Sequence, residues 1–174
     1  METAAAKTYN IAHAFIGEIQ YEAIATKKCL ERVPEDKFEY KPHEKSFTMI
    51  RLAGHIAEMF EWITVTCTTS ELDFAKGDYK PIEPTTTAEL VEHLEKNLAT
   101  AIETLKQTSD DEMMKDWTLK NGETTYFTMP KVQVIRSFAL NHIINHRGQL
   151  SVYLRLNDIP VPSMYGPSAD EGQM

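Results

Sequence analysis

The chain has 174 residues, of which 42% are apolar and 25% charged, and its formal net charge is -8. This length and apolar content fit a single domain over residues 1–174, because domains usually contain roughly 100–200 residues. The acidic balance excludes sequence-independent nucleic-acid binding, which depends on Lys and Arg neutralising phosphates. We therefore expect no nucleic-acid partner.

The N-terminus and the cysteines indicate the compartment. Residues 1–7 lack the apolar stretch of about 7–15 residues that a signal peptide needs, and no run reaches the ~18 apolar residues of a membrane span. We therefore expect a cytoplasmic protein with no membrane partner. Cys29 and Cys67 are then expected to be free, partly buried thiols.

Helical periodicity in four segments predicts an all-α fold, a four-helix bundle with a long crossover between helices 2 and 3. The predicted helices span 3–32, 46–70 with Ser46 or Thr48 as the cap, 87–109 with Thr87 as the cap, and 130–156 with Pro130 at the first helical position. The crossover is 71–86, which contains Gly77 and two prolines. The tail from Asn157 is rich in Pro and is expected to lie along the surface or to reach a partner.

A small hairpin is predicted before the fourth helix. Trp117, Leu119 and Phe127 alternate with polar residues on the two sides of Asn121-Gly122, a pair typical of a type I′ turn. We expect this hairpin to cap one end of the bundle.

Three histidines carry the chemistry. His142 and His146 are one helical turn apart, which leaves their Cβ atoms about 5–6 Å apart on one face. Both occupy core-facing positions, and His55 occupies such a position in the second helix. Three neutral imidazoles suit Zn, Ni, Fe or Cu, and three ligands leave a coordination position open for water or substrate.

Other metal motifs of helical proteins are absent. A ferritin-like di-iron site needs Glu three residues before each His of a pair, but Ala139 and Ile143 stand there. The His-Glu-x-x-His motif of zinc proteases is missing as well. The remaining histidines, His13, His43 and His93, are expected at the surface, and Cys67 is about 18 Å along the helix from His55.

The stretch from Asn141 to Leu154, Asn-His-Ile-Ile-Asn-His-Arg-Gly-Gln-Leu-Ser-Val-Tyr-Leu, closely resembles the last helix of the DinB family (DinB/YfiT-like proteins). The resemblance continues in the tail Ile-Pro-Val-Pro-Ser-Met-Tyr-Gly-Pro, in Leu-Ala-Gly-His-Ile around His55 and in Tyr-Lys-Pro-His-Glu-Lys-Ser before it. It implies a dimeric helical bundle with zinc or nickel on His55, His142 and His146. Many relatives have a further histidine where this chain has Asn145, outside the triad.

Characterised proteins that this chain resembles use low-molecular-weight thiols as substrates. The resemblance implies a metal-dependent thiol S-transferase, or a related hydrolase, acting on a small electrophile. A non-catalytic, metal-binding dimer with a stress or interaction role is the alternative, because no general base is evident. A third possibility is a helical protein whose histidines bind nothing.

Neighbouring residues offer weaker candidates. Gln149 lies on the face of His146 and could orient a ligand imidazole or a substrate, so it is a candidate for a catalytic role. Glu18 and Glu22 could supply a base, although a solvated face is the more common place for acidic residues. Arg147 points elsewhere and is expected to be structural, and Gly148 suggests close approach of a neighbouring helix.

Overall fold

The computed structural model describes residues 10–77 and 79–172, which form a mixed α/β architecture. The prediction of an all-α four-helix bundle is therefore wrong. Six α-helices and a three-stranded sheet are present in the described ranges. The residues 3–9 that were assigned to the first helix lie outside them.

The helices are α1 (Ile11–Leu30), α2 (Met49–Thr68), α3 (Thr87–Gln107), α4 (Asp110–Met113), α5 (Lys131–Val134) and α6 (Asn141–Leu156). The three longest each begin after a polar residue whose side chain accepts a hydrogen bond from a first-turn amide, namely Asn10, Thr48 and Thr86. Such caps satisfy amides that have no partner within the helix. Thr48 was one of the two predicted caps, whereas α3 is capped by Thr86 and not by Thr87.

The sheet contains β1 (Glu71–Asp73), β2 (Asp116–Asn121) and β3 (Thr124–Pro130). β2 and β3 form the predicted antiparallel hairpin, and β1 pairs with β2 in parallel. β1 was missed because it has only three residues, of which only Leu72 is apolar, and because its partner strand lies far along the chain. A short strand of this kind depends on tertiary pairing and not on local periodicity.

The hairpin turn differs from the prediction by one residue. Asn121 pairs with Thr124, so the loop consists of Gly122 and Glu123. Gly122 has φ of +58°, but Glu123 is not among the residues with positive φ. A type I′ turn needs positive φ at both central residues, so the predicted type is wrong.

α2 is the most deeply buried helix and contacts α1, α3, α5 and α6. Its buried apolar side chains face in several directions, and they include Met49, Leu52, Ile56, Met59, Phe60, Trp62 and Ile63. His55 therefore extends from a helix that is fixed by packing on several sides. Cys29 and Cys67 are buried and unpaired, as predicted.

The predicted helix 130–156 is not a regular α-helix. Pro130 ends β3 and precedes α5, and residues Ile135–Leu140 between α5 and α6 form a π-helical segment. The adjoining residues Val134 and Asn141 have right-handed helical dihedral angles, so the chain remains helical throughout. π-Helical turns are rare and occur often at functional sites. This one ends two residues before His142.

Gly148 does not serve a close helix contact, since a Cβ added there would meet no atom within 4 Å. We expect Gly148→Ala to raise the free energy of unfolding by up to about 1 kcal/mol, because Ala is the better helix former. Gly77 is equally open but has φ of +72°, so Gly77→Ala should cost roughly 1–2 kcal/mol. Urea denaturation of both variants tests whether Gly148→Ala stabilises the protein and Gly77→Ala destabilises it. Destabilisation by Gly148→Ala would contradict the prediction.

The tail after α6 lies along the surface and is held by charged residues. Arg32 pairs with Glu171, and Arg155 pairs with Asp170 at 2.5 Å. Tyr165 reaches back to the side chain of Glu22 in α1. Within the described ranges, no helix combines the length and apolar character needed to cross a membrane.

Candidate metal centre

Three histidine side chains from two helices meet at one point. His55 comes from the middle of α2, and His142 and His146 come from the first two turns of α6. The ring centroids are 5.2 Å apart for His55 and His142, 5.0 Å for His55 and His146, and 4.5 Å for His142 and His146. One nitrogen from each ring lies within 4.8 Å of the other two. The three rings are thus close enough to share an ion.

Each ring has its Nδ1 atom engaged by an oxygen. Nδ1 of His55 lies 2.8 Å from Oε1 of Glu58, and Nδ1 of His146 lies 2.8 Å from Oε1 of Gln149. Nδ1 of His142 lies 3.3 Å from the carbonyl oxygen of Phe138. A carbonyl or carboxylate oxygen can only accept, so Nδ1 carries the proton in each ring. The Nε2 lone pairs are therefore the ones available for an ion.

Burial favours the neutral form of His142 and His146. The pKa of His142 falls to about 4, first because of burial and then because of the neighbouring His146 and His55. The pKa of His146 is also lowered, mainly by burial, despite its hydrogen bond with Gln149. Metal ligation requires neutral imidazole. The donor set thus fits a transition metal at neutral pH.

The geometry needs only a small adjustment to hold a metal. Bonds of about 2.0–2.1 Å in a tetrahedral arrangement separate ligand nitrogens by about 3.4 Å. The ligand nitrogens lie within 4.8 Å of one another. Side-chain rotations that bring them closer by roughly an ångström would therefore give this spacing. Among the described residues, no cysteine and no carboxylate joins the three histidines in this group.

Glu58 is a functional residue that sequence reasoning missed. Its side chain is buried, and besides the His55 contact it accepts bonds from the Tyr79 hydroxyl and, at 3.1 Å, from the amide of Ile82. Burial alone would raise its pKa, but the bonds from His55, Tyr79 and Ile82 together with Arg51 hold that pKa below its ordinary value. Glu58 is therefore a carboxylate that orients His55.

A spacing in the sequence could have revealed Glu58. It stands three residues after His55 on the buried side of α2, and Gln149 stands three residues after His146. Residues three apart on a helix are neighbours on its surface. The pattern His-x-x-Glu or His-x-x-Gln thus places an acceptor beside His55 and beside His146.

The other candidates lie elsewhere. His13 and His43 are exposed, His93 is half-buried on α3, and none of them joins the cluster. Gln149 touches His146 and is exposed, so it positions that ring. Its role as a catalytic residue stays a prediction.

The expectation that Glu22 lies at the surface is wrong. Glu22 is 5% exposed and its carboxylate receives Nη2 of Arg147 at 2.7 Å. Arg147 is buried, as its structural role predicted, and also donates to the Glu22 carbonyl and to Thr26. Because the partner lies 125 residues away, helical periodicity could not reveal the pair. Glu18 is paired with Arg136.

Acidification should destabilise protein from which metal has been stripped. The folded-state pKa of His142, about 4, lies below the ordinary value of 6.5, so the unfolded chain takes up this proton first. The stabilisation is complete above about pH 6.5, declines as the pH falls towards 4 and is lost below it. As the pH falls over this range, the free energy of unfolding should therefore decrease more steeply for the wild type than for His142→Gln. Parallel stability curves would contradict the shift.

An open cleft reaches His146. It has a volume of about 320 Å³ and is lined by 45–47 of the loop before α2, by Leu52, and by His146, Gln149 and Tyr153 of α6. Clefts that bind small molecules have volumes of about 300–1,000 Å³. The cluster is thus accessible to a small molecule.

Comparison with known proteins identifies relatives over most of the chain. The profile of the DinB family matches residues 5–173. The uncharacterized protein YrdA of Bacillus subtilis strain 168 is 25% identical over 158 residues, which is 90% of this chain and 89% of that protein.

Two solved structures are similar. The DinB-like protein YjoA from Bacillus subtilis has a TM-score of 0.66 at 16% identity and covers 87% of this chain and 96% of its own. A DinB-like protein from Bacillus cereus ATCC 10987 has a TM-score of 0.66 at 23% identity, with coverage of 87% and 95%. At these identities the likeness supports the fold alone.

Proposed function

Because this chain belongs to the DinB family, we propose that it is a metal-dependent transferase that joins a low-molecular-weight thiol to a small electrophile. The observation that carries the proposal is the convergence of three histidine rings, one of which, His146, lines an open cleft. His55, His142 and His146 would hold zinc or nickel through Nε2. A four-coordinate metal would then keep one position open for a substrate, and a five-coordinate metal would keep two.

A thiol substrate suits this site better than water. Glu58 is the carboxylate nearest to the histidines, and its oxygens are already bonded to His55, Tyr79 and Ile82. It is therefore not free to remove a proton from water. A thiol ionises far more readily than water, so it needs no strong base. This difference favours transfer of a thiol over hydrolysis.

A bound metal would supply positive charge that lowers the pKa of a nearby thiol. In the reaction, the thiolate sulfur attacks the electrophilic carbon and a C–S bond forms. The bond from carbon to the leaving group breaks, the leaving group departs with the electron pair, and the thiol proton passes to solvent. The protein's contribution is to hold both substrates in the cleft and to keep His55, His142 and His146 oriented.

Turnover tests the proposal. Metal-loaded protein is assayed with glutathione-like, cysteinyl and bacillithiol-type thiols against chloro-aromatic electrophiles, with release of chloride as the readout. We expect thiol-dependent turnover that His146→Ala abolishes. Stoichiometric metal without turnover for any pair would contradict the transferase and favour a non-catalytic metal-binding protein.

Glu58→Gln should weaken metal binding about 10–100-fold, since an acceptor that orients a ligand imidazole commonly contributes this much. The substitution keeps the shape of the side chain but removes its charge. Glu61→Gln, at an exposed position one turn further along α2, is the matched control and should have no effect. Competition with a chromogenic chelator measures both affinities, and equal affinity for the two variants would contradict the role of Glu58.

We also propose that the protein forms a homodimer. α1 exposes Tyr21 and Ile24, and α6 exposes Val152 and Leu156, each more than half accessible. Exposed apolar residues grouped on helices are common at protein interfaces. Light scattering after size exclusion should give about twice the mass of 19.9 kDa, and Ile24→Lys should shift the species towards the monomer. A monomeric wild type would contradict the dimer.

A further inference from the structure

The cleft beside the histidines has a cationic rim. Lys45 lines it together with His146, and none of the described residues that line it is acidic. This contrasts with the chain as a whole, which has a formal net charge of -8. The local charge therefore differs in sign from the molecule that surrounds it.

The ammonium group of Lys45 has no partner among the described residues. Its backbone amide bonds to Nδ1 of His43, but no carboxylate or carbonyl bonds to its Nζ atom. By contrast, Lys27, Lys115 and Lys120 each pair with a carboxylate within 3 Å. A lysine at a binding cleft with three unused donors is able to receive an anion.

A second cation lies behind this rim. The guanidinium of Arg51 stacks over the ring of Phe47 at 5.3 Å, and Phe47 lines the cleft. Its bonds to Glu58 and to Tyr79 are both 3.5 Å long, which is the outer limit for a hydrogen bond. Arg51 therefore brings a positive charge next to Phe47, and only a long contact joins it to Glu58.

Phe47 and Leu52 form the apolar part of the cleft lining. Phe47 is 48% exposed, and its ring meets that of His55 edge to face at 6.5 Å. Leu52 lies on the same cleft. A molecule that fills the cleft thus meets the imidazole of His146, the apolar side chains of Phe47 and Leu52, and the ammonium group of Lys45.

We propose that one of the two substrates of this site carries a carboxylate, which Lys45 binds while the reacting atom lies at the histidines. The inference rests on the proposed function and specifies the charge of its substrate. Lys45 is thus a specificity-determining residue, and the carboxylate belongs either to the thiol or to the electrophile.

Two pairs of compounds test the inference by calorimetric titration of the full-length protein after incubation with zinc. The thiols are 3-mercaptopropionate and neutral 2-mercaptoethanol, and the electrophiles are 4-chloro-3,5-dinitrobenzoate and neutral 1-chloro-2,4-dinitrobenzene. Each compound is titrated alone, so no turnover occurs. We expect the anionic member of one pair to bind at least about tenfold more tightly, since a hydrogen bond between charged groups contributes at this level.

Lys45→Gln should reduce that preference to about threefold or less. Lys96→Gln changes the charge equally at an exposed position of α3 and should leave the preference unchanged. The pair that shows the effect identifies which substrate carries the carboxylate. Equal binding of both members in both pairs, or a preference that Lys45→Gln does not alter, would overturn the inference.

The two proposals fail in different ways. If both thiols bind equally and turn over, the transferase stands and the carboxylate inference is wrong. If neither thiol binds but the benzoate binds in a manner that depends on Lys45, the inference stands and the thiol chemistry is wrong. Absence of binding for all four compounds contradicts both.

Discussion

Replacing His142 with alanine should abolish stoichiometric metal binding. The wild type, incubated with zinc or nickel and dialysed, should retain about one equivalent, because three imidazole nitrogens lie within 4.8 Å of one another. Removal of one ligand should weaken binding by more than the roughly 10–100-fold that loss of a supporting residue causes. His55→Ala and His146→Ala should behave in the same way, and elemental analysis after dialysis gives the readout.

Controls separate a lost ligand from a lost fold. His93→Ala, on α3 and outside the cluster, should retain its metal. Circular dichroism should show unchanged helicity in all three cluster variants. Metal retained by each of these variants would place the ion elsewhere, and the case for a metalloenzyme would then fail.

Arg147→Met should lower the free energy of unfolding by about 3–5 kcal/mol, because it leaves the carboxylate of Glu22 buried without its charged partner. The side chains of Arg147 and Glu22 are 1% and 7% exposed, and their ion pair of 2.7 Å joins α6 to α1. Domains of this size are stable by only about 5–15 kcal/mol. Urea denaturation followed by tryptophan fluorescence measures the loss.

The double variant Glu22→Leu/Arg147→Met should recover most of that stability, since an apolar pair avoids the cost of burying charges. Tyr165→Phe serves as a milder control. It removes a hydroxyl that accepts from Arg147 and donates to Glu22, but keeps the ion pair. A loss below about 1 kcal/mol in Arg147→Met would contradict the structural role of this pair.

This buried pair also bears on the metal centre. Arg147 directly follows His146, so its bonds to Glu22 and Thr26 fix the turn of α6 that carries the histidines. Because Arg147 and His146 point to different sides of α6, one side is anchored to α1 and the other faces α2. Loss of Arg147 should therefore loosen the cluster without removing a ligand.

Several elements of the fold could be predicted from the sequence because their signals are local. The apolar spacing in α2 and α6 and the polar cap Thr48 each depend on residues within a few positions. The same periodicity placed His55, His142 and His146 on inward-facing positions, and the structure brings their rings together. Their role as metal ligands stays a prediction.

Other features depend on contacts between distant residues. β1 exists because Glu71–Asp73 pairs with Thr118–Lys120. A segment of three residues is too short for its own pattern to predict this pairing. The burial of Glu22 depends on Arg147 in the same way. The π-helical segment before His142 also departs from the regular periodicity of its sequence.

The sequence by itself determined the four longest helices approximately, the pairing of the two hairpin strands and the inward-facing positions of three histidines, because helix and strand preferences act over a few residues. Only the tertiary structure decided the mixed sheet, the Glu58 carboxylate behind His55 and the cationic cleft that contains Lys45. These features arise where segments far apart in the chain are packed together. Charge, hydrogen-bond partners and access to solvent are properties of that packing and not of any one segment.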